Sequence, residues 1–157
     1  GMPVAAFAGR GEIMNLISPL GGVYQAGTLS GNPVAMAAGI ASISKIFAQK
    51  NMYKKLENLA NLFMSGLKEI AVNKGIPLQT CVRGSMFGYF FNENEVLNYA
   101  DALKSDTKTF AKFHGAMIKE GVFLAPSQFE TGFICASMNA KDIEFALKKA
   151  KKAFKNL

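Results

Sequence analysis

The chain has 157 residues, of which 50% are hydrophobic, 11% aromatic and 18% charged. This apolar composition excludes an intrinsically disordered protein, and the length predicts one domain or a domain and a fraction. The 18 basic and 11 acidic residues give a formal charge of +7. Because the only arginines are Arg10 and Arg83 and tryptophan is absent, we expect no nucleic-acid partner.

Residues 13–44 carry no charge, which raises the question of a membrane span. Proline, asparagine and glycine interrupt the stretch, so no apolar run reaches the roughly 20 residues that a spanning helix needs. No secretory leader is recognisable at the N-terminus. We therefore expect no membrane partner and a cytoplasmic location, with Cys81 and Cys135 as buried or half-buried thiols in no metal-ligand spacing.

The first half of the chain predicts turns followed by two helices. Residues 1–31 are rich in glycine, which indicates turns. Asn32 and Pro33 predict a helix start, because asparagine caps free N–H groups and proline suits the first helical position. The helix over 33–48 is small and apolar on nearly every side, which predicts burial all round. An amphipathic helix is predicted over 52–73.

From residue 76 the pattern becomes α+β. The predicted elements are strands over 76–82 and 86–91, a helix over 106–120 ended by Gly121, strands over 122–125 and 133–137, and a last helix capped by Asn139. Asp142 completes a variant capping box with Asn139. The expected fold class is therefore α+β, with residues 76–157 forming a small domain.

The most informative motif is the stretch over 24–33, whose sequence is YQAGTLSGNP. It is a glycine-spaced loop that leads into a helix N-terminus, where unpaired N–H groups and the helix dipole favour an anion. A hydroxyl of Thr28 or Ser30 would add a donor to a phosphate oxygen. The alternative is a capped helix start in which Ser30 and Asn32 satisfy the backbone donors. No P-loop or dinucleotide fingerprint is present.

A second candidate is the loop over 125–133, between two predicted strands. Glu130 is the only acidic residue between Glu120 and Asp142. A lone carboxylate in an apolar loop is a candidate for a functional site. The alternative is a loop carboxylate that is simply solvated.

These motifs together carry a family resemblance. They are Met2-Pro3-Val4, Ala8-Gly9-Arg10, the stretch over 24–33 with the alanine-rich helix after it, and the stretch over 125–133. They closely resemble the glutamate-1-semialdehyde aminomutase family, whose members are pyridoxal-phosphate (PLP) enzymes of the class III aminotransferase group. The resemblance covers essentially the whole chain and matches the C-terminal third of the family.

The resemblance implies a fold-type I PLP enzyme that acts as a homodimer, with active sites at the subunit interface. Residues 1–50 would be the tail of the large PLP-binding domain, 51–75 a linking helix and 76–157 the small C-terminal α+β domain. Thr28, with the backbone of Gly27, matches the position that binds the phosphate of the neighbouring subunit's PLP.

Glu130 matches an active-site glutamate on the substrate side, where ordinary class III transaminases commonly carry a carboxylate-binding arginine. The implied reaction converts a small-molecule substrate, glutamate-1-semialdehyde, to 5-aminolevulinate for tetrapyrrole (porphyrin) biosynthesis.

The family's Schiff-base lysine is expected shortly before Gly1 and is therefore absent from this sequence. Covalent PLP catalysis needs that amine, so we expect the chain alone to be inactive. Two alternatives are a fragment of another class III aminotransferase and a non-enzymatic basic α+β module that binds an acidic partner or nucleic acid through its lysines.

Overall fold

The computed structural model describes residues 2–157, so Gly1 lies outside the described residues. The chain divides into two compact units, Gly1–Lys50 and Asn51–Leu157. Within the described residues, no helix has the length and apolarity that crossing a bilayer would require.

The first unit contains two helices, α1 (Gly11–Met14) and α2 (Pro33–Ala48). The predicted bounds of α2 are confirmed. Its start is fixed by Asn32, whose Oδ1 accepts the N–H groups of Val34 and Ala35, each at 3.1 Å. This cap satisfies two donors that would otherwise be unpaired at the helix N-terminus.

Helix α2 is mostly exposed. Only Ala35 is buried, whereas 67% of Ile40 and 81% of Phe47 are accessible. The expectation of burial all round is therefore wrong for this unit. Among residues 2–50, the unit has no sheet and no second long helix to form the layer that an apolar helix packs against.

The second unit contains the remaining elements of the chain. They are α3 (Met52–Val72), β1 (Gln79–Arg83), β2 (Met86–Phe90), α4 (Tyr99–Ala102), α5 (Thr107–Lys119), β3 (Gly132–Phe133) and α6 (Ala140–Ala153), then the 3-10 turn Phe154–Asn156. The strands form an antiparallel sheet in the order β1-β2-β3. Gly84, with φ of +59°, allows the tight turn from β1 to β2. Met86 faces Arg83 on one side and Phe133 on the other.

The core of this unit lies between one face of the sheet and helices α3, α5 and α6. Helix α3 contributes the buried residues Leu56, Leu59, Ala60, Phe63, Met64, Leu67 and Ala71, which recur at helical spacing. Phe113 of α5 is fully buried, and its ring lies 5.8 Å from Tyr89, 5.6 Å from Phe91 and 4.8 Å from Phe154. Aromatic packing therefore joins the sheet to α5 and the C-terminal turn.

Two of the predicted strands differ from the structure. Residues 122–125 do not pair in the sheet. Instead Leu124 is buried, and its carbonyl accepts a hydrogen bond from Nε2 of His114 at 3.1 Å. The strand predicted over 133–137 shrinks to Gly132–Phe133. After the bond from Ile134 N–H to the Ser85 carbonyl, the chain turns away from the sheet.

The two cysteines are exposed, not buried or half-buried as expected. Cys81 lies on β1, one of the two edge strands of the sheet. Cys135 follows β3, and its Sγ lies 3.0 Å from Oγ of Ser137. This hydrogen bond lowers the pKa of the Cys135 thiol.

Candidate functional site

The loop over 27–31 lies just before helix α2. The Ser30 N–H donates to the Gly27 carbonyl at 2.9 Å, and the Asn32 N–H donates to the Leu29 carbonyl at 3.0 Å. Within the part of the chain that the structure describes, the N–H groups of Thr28 and Leu29 have no acceptor. The loop is exposed, so these donors are open to a ligand.

The first turn of α2 offers fewer donors than the sequence suggested. The Asn32 side chain accepts from Val34 and Ala35, the Asn32 carbonyl accepts from Met36 at 2.9 Å, and Pro33 has no N–H. The capped helix start is therefore correct for Asn32. The donors available to an anion belong to the loop over 27–31, at the positive end of the helix dipole.

This loop has the donor set that a phosphate group needs. It combines backbone N–H groups with the hydroxyl of Thr28, and a phosphate accepts from both. A Cβ at Gly27 would come within 2.9 Å of Oγ of Ser30, so a side chain there would require the Ser30 hydroxyl to move. The residues present therefore fit a phosphate-bearing cofactor.

Glu130 lies in a turn that Ser127 organises. The Glu130 N–H donates to the Ser127 carbonyl at 3.1 Å, and the Phe129 N–H donates to Oγ of Ser127 at 3.2 Å. Glu130 is exposed and makes no ion pair with any other described residue. Its carboxylate can therefore serve as an acceptor or as a counter-charge for a bound molecule.

Two small clefts meet at Glu130. One, of about 140 Å³, is also lined by Tyr89, Ser127 and Phe133. The other, of about 190 Å³, is also lined by Arg83. Glu130 thus lies between a cleft lined by several aromatic rings and one that carries a positive charge.

Tyr89 is a site residue that the sequence analysis did not single out. It is buried, and burial raises the pKa of its hydroxyl, which therefore stays protonated. The signal that could have found it is the alternation of β2, which places Phe87 and Tyr89 on the same face.

Gln128 was also overlooked. Its side chain is buried, and neither its Nε2 nor its Oε1 has a hydrogen-bond partner among the described residues. Its neighbour Phe129 makes an edge-to-face contact with Tyr99 of α4, with ring centroids 6.2 Å apart. No local sequence pattern indicates this contact, because the two rings are 30 positions apart in the chain.

The predicted site residues fall in both units. Gly27 and Thr28 are adjacent in the first unit, and Glu130 lies in the second. Across residues 2–157 there is no group of three or more histidine, cysteine, aspartate or glutamate side chains that could hold a metal ion.

The chain matches known proteins along its whole length. The class-III aminotransferase family matches residues 1–139. The glutamate-1-semialdehyde 2,1-aminomutase of Campylobacter hominis is 73% identical over 154 residues, which are 98% of this chain and 34% of the relative. That of Campylobacter fetus subsp. fetus is 60% identical over 157 residues, which are 100% of this chain and 37% of the relative. The chain thus spans about a third of the length of these relatives.

Solved structures share the fold. An omega-transaminase from Sphaerobacter thermophilus has a TM-score of 0.77 at 23% identity, over 94% of this chain and 34% of that protein. A glutamate-1-semialdehyde-aminomutase from Pseudomonas aeruginosa has a TM-score of 0.70 at 20% identity, over 83% of this chain and 29% of that protein. At such identities the likeness concerns the fold alone.

Proposed function

Because the chain belongs to the class-III aminotransferase family, we propose that it is part of a PLP-dependent aminomutase that converts glutamate-1-semialdehyde to 5-aminolevulinate. The observation that carries this proposal is the 73% identity over 98% of the chain to a glutamate-1-semialdehyde 2,1-aminomutase. That alignment spans both the loop over 27–31 and Glu130. An intramolecular transfer of an amino group fits the absence of a carboxylate-binding arginine at position 130.

The loop over 27–31 would hold the phosphate of PLP. The Thr28 hydroxyl and the N–H groups of Thr28 and Leu29 would donate to its oxygens, as the geometry of the loop supports. When bound, PLP withdraws electrons from the carbon that carries the amino group. This chain's share of that chemistry is to hold the phosphate and so fix the position of the cofactor.

Glu130 would act on the substrate side. Its exposed carboxylate, which makes no ion pair with the described residues, accepts hydrogen bonds from amino groups. Its negative charge also disfavours a second carboxylate at the same place. Glu130 would therefore select a substrate whose reacting end carries an aldehyde or an amino group and would orient that end.

We further propose that the parent protein is a cytoplasmic homodimer that acts in porphyrin biosynthesis. The exposed apolar side chains of α2, including Ile40 and Phe47, support an association with further protein surface. Because the chain spans about a third of the length of its relatives, we also propose that the separate 157-residue chain is inactive.

The test uses the full-length protein that carries this chain. With PLP, it should form 5-aminolevulinate from glutamate-1-semialdehyde without an added amino donor, and the separate 157-residue chain should not. Glu130→Gln should lower kcat and leave PLP occupancy unchanged, whereas Glu144→Gln, an exposed control on α6, should change neither. Turnover that requires an external amino donor would instead indicate another class III aminotransferase.

A further inference from the structure

Tyr99 and Phe129 form a ring contact beside Glu130. Tyr99 begins helix α4, Phe129 directly precedes Glu130, and their ring planes meet at 62° in an edge-to-face arrangement. This geometry is one of the two that aromatic pairs favour. Both rings nevertheless remain exposed to solvent, with 70% of Tyr99 and 46% of Phe129 accessible, so burial alone does not account for the contact.

Helix α4 has only one turn, but side-chain hydrogen bonds hold it in place. Oδ1 of Asn98 caps it by accepting the Asp101 N–H at 3.1 Å. The buried Asn92, which follows β2, donates from Nδ2 to the Asp101 carbonyl and to Oγ of Ser105, each at 3.2 Å. These hydrogen bonds connect the helix that carries Tyr99 to the end of β2.

The loop that carries Glu130 has few polar contacts of its own. Ser127 accepts the N–H groups of Phe129 and Glu130, but these bonds lie within the turn and do not fix it to another element. The buried Gln128 amide has no partner among the described residues. The contact between Phe129 and Tyr99 does reach a second element, so it joins the turn to α4.

We propose that Tyr99 is a positioning residue for Glu130 that acts through the ring of Phe129. This inference rests on the proposed role of Glu130 in substrate binding. Phe129 and Glu130 are adjacent in the chain. If the Phe129 ring moves, the backbone it shares with Glu130 rotates, and the Glu130 carboxylate moves with it. A misplacement of about 1 Å at a reacting group can lower the rate about 100-fold.

The experiment measures 5-aminolevulinate formation by the full-length protein with PLP. Tyr99→Leu, which removes the ring, should lower kcat by about 10- to 100-fold, and Phe129→Leu should do the same. Tyr99→Phe keeps the ring and should retain the rate of the unsubstituted protein. Tyr53→Leu is the matched control, because Tyr53 lies on α3 with a similar exposure of 68% and should leave kcat unchanged.

A double substitution separates positioning from a general structural effect. If Tyr99 acts through Glu130, Tyr99→Leu should cause no further loss when Glu130→Gln is already present. A further loss in that background would overturn the proposal, and so would a Tyr99→Leu protein as active as Tyr53→Leu.

The same assays also test the underlying function. Lack of turnover by the unsubstituted full-length protein would refute the aminomutase function. Normal turnover by Glu130→Gln would refute the role of Glu130, and with it the role of Tyr99. Loss on Glu130→Gln with full activity of Tyr99→Leu would refute the positioning role alone.

Discussion

The ring of Phe87 occupies the space that a Cβ on Gly132 would need. The two residues face each other across β2 and β3, and an added Cβ would overlap the ring atoms. Because position 132 has no side chain, the Glu130 loop joins the sheet without displacing this ring. A core aromatic residue and a loop glycine together set the place of the candidate site.

We expect Gly132→Ala to lower the free energy of unfolding by about 1–3 kcal/mol, because overpacking forces the Phe87 ring or the backbone to move. Urea unfolding of the 157-residue chain would measure this. Gly115→Ala is the control, since a Cβ there meets nothing within 4 Å and alanine favours the interior of α5 by about 0.5–1 kcal/mol. Equal effects of the two substitutions would contradict the overlap.

The Asp106 carboxylate caps α5 and should make stability depend on pH. Its oxygens accept from the N–H groups of Lys108 and Thr109 and from the Thr109 hydroxyl. The hydrogen bonds from the Thr109 backbone and hydroxyl are the main reason why the pKa of Asp106 is lowered. A lowered folded-state pKa adds stability above the unfolded value of about 3.9, and this stability is lost as pH falls through the folded value.

Asp106→Ala should therefore cost about 1 kcal/mol at pH 7. Asp106→Asn keeps a capping oxygen, so it should cost less and should flatten the dependence of stability on pH below about 5. Urea unfolding of each variant between pH 3 and 7 is the measurement, with the pH values chosen to bracket the carboxylate range. An unchanged slope in Asp106→Asn would show that this carboxylate does not contribute.

Cys135 should react with iodoacetamide faster than Cys81 near neutral pH. Both thiols are exposed, but the hydrogen bond to Ser137 lowers the pKa of Cys135, and the thiolate is the reactive form. Peptide mass spectrometry after timed alkylation would compare the two sites. Ser137→Ala should slow Cys135 and leave Cys81 as an internal reference, so equal slowing at both sites would count against this explanation.

Thr28→Val should weaken PLP binding to the full-length protein about 10- to 100-fold, because a hydrogen bond to a charged group contributes about 1.5–3 kcal/mol. Thr28→Ser retains a hydroxyl and should bind nearly as tightly. Equilibrium dialysis with PLP would give both dissociation constants. Unchanged binding by Thr28→Val would remove Thr28 from the proposed phosphate site.

Local signals predicted most of the fold. Asn32, Asn139 and Asp142 cap their helices as expected, and a capping box is present at Asn139. The predicted α+β class is confirmed, and so is the predicted similarity of the fold to that of PLP-dependent transaminases. The strand over 122–125 was predicted wrongly because the bond from His114 to Leu124 is a tertiary contact that no local pattern reports.

The sequence predicted less of the candidate site than of the fold. Thr28 and Glu130 were candidates from their local sequence, whereas their roles rest on a family resemblance and stay predictions. The one-turn helix α4 is too short to give a periodic pattern, so neither Tyr99 nor its contact with Phe129 was predicted. The burial of Gln128 was missed for a related reason, since polar residues in loops are usually exposed.

The exposure of helix α2 has a consequence for how the chain behaves in solution. An apolar helix surface that water can reach attracts further copies of itself, while a net charge of +7 keeps the copies apart. We therefore expect the separate chain to stay dispersed only at low salt, where its positive charges repel one another. Salt at 0.1 M shortens that reach to about 10 Å, so light scattering should rise as salt is added at constant pH.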